Sequence, residues 1–175
     1  MTIPRPEVNE YGPSYATYVR QTEGTDWSAQ MAATYDEWQS LLSPLTEAQW
    51  NFRYGPDKWT IKELVLHVID SERVYAYRAL CFARGDTTPL PGFDENHYAK
   101  TGRASSRTGR SLLDELRNVR AATTALFENV SDGLWMQTGV ANGLPMSLRA
   151  QAYVLLGHFK HHLNILKERY RDALR

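Results

Sequence analysis

The stretch SLRAQAYVLLGHFKHHLNILKERY, Ser147–Tyr170, decides how this chain is read. It has no proline and one glycine, Gly157, and is rich in Leu, Ala, Gln, Lys and Arg, a composition that favours a helix. Three of the chain's five histidines fall within five positions here, at His158, His161 and His162. On a helix, His158 and His162 stand one turn apart on one face, a spacing at which two imidazoles can bind one metal ion. The glutamate that follows the first histidine in the helical motif of zinc proteases is absent, because Phe159 stands there. A bare His-x-x-x-His equally describes polar histidines on a helix surface, so a third ligand elsewhere must decide.

Outward from this helix the chain repeats one pattern. Ser147 caps it, and Leu148, Gln151, Val154, Leu155, His158, His162 and Ile165 form its inner face. Thr60-Ile61-Lys62-Glu63 matches a capping box, and Ile61, Leu64, Val65, Val68, Val74 and Tyr75 carry helical periodicity to Ala83, with Gly85 as the stop. Asp26 caps an earlier helix bearing Trp27, Met31, Tyr35, Trp38 and Leu42, ended by Pro44. Thr46 and Gln49 suit one short turn around Trp50. A further helix runs from about Ser111 to Val130 on Leu112, Leu113, Leu116, Val119, Leu126 and Phe127.

No run alternates as a strand should, and no internal repeat appears. The expectation is an all-α four-helix bundle spanning residues 26–175, preceded by a proline-rich arm over 1–25. The connections Gly85–Gly109 and Ser131–Pro145 are long, so simple up-down-up-down wiring is not required. A structureless connection as long as the first is uncommon and often functional.

Composition narrows the function. Lys plus Arg and Asp plus Glu number 20 each, and no basic run occurs, which argues against a nucleic-acid partner. No apolar run approaches the ~20 residues of a membrane span, and Met1–Pro13 lacks the apolar stretch of a signal peptide. With Cys81 alone there is no internal disulfide and no Cys-x-x-Cys, so a reduced cytoplasmic setting is the default expectation. Cys81 is the single cysteine and sits in an apolar run, as a buried inert thiol does.

His67 falls mid-helix on the apolar side, with Leu64, Ser71 and Val74 on the same face. His158 and His162 fall on the apolar side of the last helix. Buried polar groups need partners, and a bundle interior offers few. Two readings stay open: the three imidazoles share one divalent ion with an open coordination position, or each bonds a neighbouring Tyr, Asp or Glu. His161 lies one step round from the face, and His97 lies in the long connection.

The run Lys58–Leu80, followed by Ala83-Arg84-Gly85-Asp86, Pro89–Asn96 and His158-x-x-His161-His162, resembles the DinB-like (YfiT-like) superfamily over roughly residues 27 to 170. That resemblance implies a four-helix bundle with up-down-down-up wiring, often dimeric. It also implies zinc or nickel held by three histidines, which match His67, His158 and His162 here. Characterised relatives include thiol-dependent S-transferases and a mycothiol-dependent isomerase, and others are assigned as metal-dependent hydrolases. Acidic residues common in relatives between the first two histidines of the last motif are replaced by Phe159 and Lys160.

Three functions follow as expectations. In the first, a small-molecule substrate meets a low-molecular-weight thiol whose proton is lost on metal coordination. In the second, the metal activates water for hydrolysis, and Asp70, one turn from His67, serves as base or orients an imidazole. The third is a non-enzymatic metal-binding module. Phe93, Glu95, His97 and Tyr98 are candidates for the wall of the site. A homodimer is expected from the resemblance and from Tyr11, Tyr15 and Tyr18, aromatics of the arm without an evident core to join.

Overall fold

The computed structural model describes residues 1–175. Its helices are α1 (Ala16–Val19), α2 (Trp27–Leu42), α3 (Glu47–Trp50), α4 (Ile61–Ala83), α5 (Glu95–Thr101), α6 (Gly109–Glu128) and α7 (Leu148–Arg169). Strands β1 (Thr138–Ala141) and β2 (Leu144–Ser147) precede α7.

The starts of the long helices follow from local chemistry. Asp26 accepts from the Ala29 N–H, Thr60 and Glu63 close a reciprocal capping box, and Ser147 accepts from the Ala150 N–H. Each cap satisfies one of the N–H groups a helix leaves unpaired at its start. The third long helix begins at Gly109, earlier than its apolar pattern indicates, because Thr108 caps it from the Ser111 N–H.

Side-chain pairs reveal the wiring. Glu72 pairs with Arg120 and Arg73 with Glu115, while Lys62, near the start of α4, reaches Glu47, which also accepts from the Gly109 N–H at the start of α6. Helices α4 and α6 therefore run parallel. Trp27 Nε1 donates to the Ala152 carbonyl and Lys167 pairs with Glu37, so α2 and α7 run parallel to each other. His67 meets His158 and His162, while Tyr170 beyond the end of α7 donates to the Trp59 carbonyl just before α4, so α4 and α7 are antiparallel. The result is an up-down-down-up four-helix bundle. Parallel α4 and α6 force the chain between them to travel back along the bundle, which is why that connection is long.

Two expectations need correction. The segment before α7 is a β-hairpin rather than a strandless connection, with Thr138 paired to Ser147 and Ala141 to Leu144. Its turn is Asn142-Gly143, both at positive φ (53° and 74°), as a two-residue type I′ turn requires. Strands of four residues, with Gly139 and Pro145 inside them, are too short to show alternation. Gly139 is there because a Cβ would stand 2.0 Å from the Phe82 ring at the end of α4. The long connection is not structureless either: it carries α5, capped by Asp94, and Leu90 bonds both ways with the hairpin, to the Val140 carbonyl and from the Asn142 N–H.

The arm packs as part of the bundle. Ile3 is fully buried, and the Tyr153 hydroxyl donates to its carbonyl at 2.8 Å. Tyr15 is buried, and Tyr11 and Tyr18 pack on the same apolar cluster. The aromatics of the arm thus have a core within their own chain, which removes them as a ground for expecting a dimer.

The interior has two apolar clusters, one around Trp27, Phe82, Phe127 and Tyr153, the other around Trp38, Ile61, Leu112 and Leu166. Arg120 lies between them: its guanidinium is 4.0 Å from the Phe159 ring centroid, 3.0 Å from Met31 Sδ and 2.5 Å from the Glu72 carboxylate.

Candidate metal centre

Helix α4 supplies His67, and α7 supplies His158 and His162 one turn apart. Because the two helices are packed antiparallel neighbours, residues of one face on each are brought together. His67 Nε2 lies 3.1 Å from His158 Nε2 and 3.1 Å from His162 Nε2. The three donor atoms all fall within 4.8 Å of one another. Nitrogens bound at 2.0–2.1 Å around a tetrahedral ion are separated by about 3.3 Å, so the spacing suits one small cation.

Hydrogen bonding alone serves these three atoms poorly. A neutral imidazole has one N–H and one lone pair, so His67 Nε2 either donates or accepts and cannot fully satisfy two facing nitrogens. A shared cation takes all three lone pairs at once. The three residues are nearly closed to solvent, at 6%, 4% and 8% exposure. Burial, with His161 nearby, brings His67 down to about 4. Burial and the neighbouring imidazoles hold His158 and His162 well below the ordinary histidine range. All three are therefore neutral near pH 7, the form that ligates metal.

Aromatic rings surround the cluster. Trp59 lies 4.8 Å from the His67 ring, and Tyr18 and Tyr75 each approach His158 edge-on at 5.3 Å between centroids. Two cavities flank it. One of about 170 Å³ is lined by Tyr15, Tyr18, Tyr75, Arg78, Phe93 and Glu95. The other, of about 240 Å³, includes Trp59, Asn96, Tyr170 and His162 itself. The segment Phe93–Asn96 borders both, which gives Phe93 and Glu95 the wall position proposed for the long connection.

Other candidates stand elsewhere. Asp70 pairs with Arg73 at 3.6 Å among Glu115 and Arg107, on the side of α4 that meets α6, and burial pushes its carboxyl up against the pull of Arg73. His161 is half-buried between Tyr18 and His162. His97 is exposed on α5, and Tyr98 packs on Phe93. Tyr75 and Trp59 were legible in principle, since Tyr75 lies two turns beyond His67 on one face and Trp59 directly precedes the capping box. Nothing local marks Tyr18, whose place depends on how the arm folds back.

Residues 30–166 match the DinB superfamily, and the chain belongs to it. It is 25% identical over 144 residues, 80% of each chain, to a protein of Geobacillus kaustophilus provisionally named a metal-dependent hydrolase. A protein of Geobacillus thermodenitrificans with the same provisional name is 23% identical over 147 residues, 82% of each chain. Among solved structures, YfiT of Bacillus subtilis, described as a four-helix bundle of unusual topology, superposes with a TM-score of 0.73 at 16% identity, over 95% of this chain and 91% of its own. That likeness concerns the fold.

Proposed function

We propose that this protein is a divalent-metal-dependent enzyme acting on a small molecule, with His67, His158 and His162 as the metal ligands and zinc or nickel as the ion. The observation that carries the reading is the convergence of three buried, neutral Nε2 atoms at 3.1 Å from His67 to each of its partners. Three imidazoles leave a coordination position open, as catalytic sites do and closed structural sites do not.

A divalent ion here supplies Lewis acidity, enough to take the proton from a coordinated thiol or to acidify a coordinated water. The chain's own residues hold the three imidazoles in place and exclude bulk water with Trp59, Tyr18 and Tyr75. Asp70, the candidate base, is engaged with Arg73, and no carboxylate joins the three histidines in their cluster. This favours chemistry in which the nucleophile needs no carboxylate base, and transfer from a low-molecular-weight thiol to an electrophile fits best. The second reading, hydrolysis, is supported by the provisional names of the Geobacillus relatives.

The test takes untagged protein, measures its metal, and offers two assays. Thiol-dependent turnover of an activated aromatic halide supports transfer; thiol-independent ester or amide cleavage supports hydrolysis. Metal content that survives intact in His67→Ala, His158→Ala and His162→Ala removes the site. Sedimentation tests the homodimer, for which the family resemblance remains the ground.

A further inference from the structure

We propose that Arg78 anchors a carboxylate of the substrate in the tyrosine-lined cavity beside the three imidazoles, so that the site acts on small monoacids with an apolar body. The inference rests on the metal-centre reading for its catalytic meaning, but the anion site itself stands on separate observations.

Arg78 lies three turns beyond His67 and one beyond Tyr75, on the stripe of α4 that faces the site. It is 2% exposed. Its hydrogen bond is from Nη2 to the Pro91 carbonyl at 2.8 Å, and its guanidinium packs 5.7 Å from the Tyr75 ring centroid. The chain's other two cations buried this deeply have carboxylate partners: Lys62 meets Glu47 at 2.8 Å, and Arg120 meets Glu72 at 2.5 Å. Arg78 has none. A desolvated guanidinium without a counter-ion is unfavourable, and its planar fork of five N–H donors matches a carboxylate in two parallel bonds.

The cavity supplies the place for that anion. Arg78 lines it together with Tyr18 and Tyr75, the two rings that touch His158. An acid held at Arg78 therefore lies against the two tyrosines that pack on His158. Glu95, exposed at the same cavity and out of ion-pair reach of Arg78, sets the charge that is accepted. One guanidinium balances one carboxylate, whereas a phosphate dianion would face one cation and a nearby anion.

The test is calorimetric binding of 3-phenylpropanoate and its neutral amide to the full-length protein and its variants. Wild type should bind the acid about tenfold or more tighter than the amide, the scale of a charge-assisted pair. Arg78→Met should abolish that preference, Arg78→Lys should restore part of it, and Glu95→Gln should tighten acid binding. His67→Ala should keep the preference, because the acid is held at Arg78 and not on a metal. Equal binding of acid and amide to wild type overturns the proposal, as does a preference that survives Arg78→Met or disappears in His67→Ala. Tighter binding of phenylphosphonate than of the carboxylate also overturns it. Metal content, measured separately on each sample, reports on the metal centre alone, so loss of either reading is seen without the other.

Discussion

The backbone of Tyr18 crosses Gly157 so closely that a Cβ at position 157 would stand 2.0 Å from the Tyr18 carbonyl oxygen. This approach docks the N-terminal arm onto α7 and brings the Tyr18 ring edge-on to His158, the next residue along. Gly157 thus owes its place to the chain that covers it, in a helix where alanine would otherwise be favoured by about 1 kcal/mol.

Gly157→Ala is therefore expected to destabilise despite the better helix propensity. The obstacle is backbone, which cannot rotate away, and overpacking of this kind costs about 1–3 kcal/mol. The expected outcome is a lower melting temperature and faster proteolysis within residues 1–25, with α7 intact by circular dichroism.

Metal binding should appear as stability. A ligand that binds the folded state alone contributes about 2.7 kcal/mol at a hundred times its Kd. Zinc or nickel added to metal-free wild type should raise the melting temperature. His158→Ala should show little response, while His161→Ala, outside the cluster of three, should respond as wild type does. Equal responses from all three proteins would place the metal elsewhere.

The Glu72–Arg120 pair should be costly to break and cheap to replace. Both side chains are buried, at 3% and 6% exposure, so Glu72→Gln leaves an uncompensated interior charge and should cost about 3–5 kcal/mol. The double change Glu72→Leu with Arg120→Met should recover most of that loss, because buried pairs replaced by apolar residues of similar volume are often neutral or better. Urea unfolding of the three proteins decides it.

The arm should loosen in acid. Burial would raise the Glu10 carboxyl, but Arg149, the Ser147 hydroxyl and the Glu7 backbone N–H outweigh it and hold the group at about 2, against an ordinary 4.5. Between these values the unfolded chain binds more protons than the folded one, so stability rises with pH across the window. The contribution is complete above about 4.5 and is lost as pH falls through about 2. Proteolysis of the arm by pepsin should quicken across that fall in wild type. In Arg149→Met it should already be fast at the upper end of the window.

The four long helices, the caps Asp26, Thr60 and Ser147, and the faces carrying His67, His158 and His162 are settled by local chemistry, whereas the Thr108 cap and the helix that carries His97 are not read from the sequence. A capping box needs Thr60 and Glu63 within one turn, and the spacing of His158 and His162 needs nothing beyond the helix that contains them. The hairpin was hidden because its signal is Asn142-Gly143 flanked by strands too short to alternate. The parallel course of α4 and α6 is suggested by a long connection and by resemblance, but its physical basis is packing: Leu112 and Leu116 of α6 join Ile61, Leu64 and Val68 of α4 in one apolar cluster, in a register that Arg73–Glu115 and Glu72–Arg120 share. What only the tertiary structure decided is the meeting of residues far apart in sequence. His67 Nε2 reaches two imidazoles of α7 because α4 and α7 pack antiparallel in one register. Asp70, one turn from His67, faces Arg73, which Glu115 of the distant α6 holds on the side of α4 away from the imidazoles. Tyr18 reaches His158 because Gly157 lets a distant backbone approach. Helix periodicity assigns a residue to a face, but the distance between two faces depends on the packing of the whole chain.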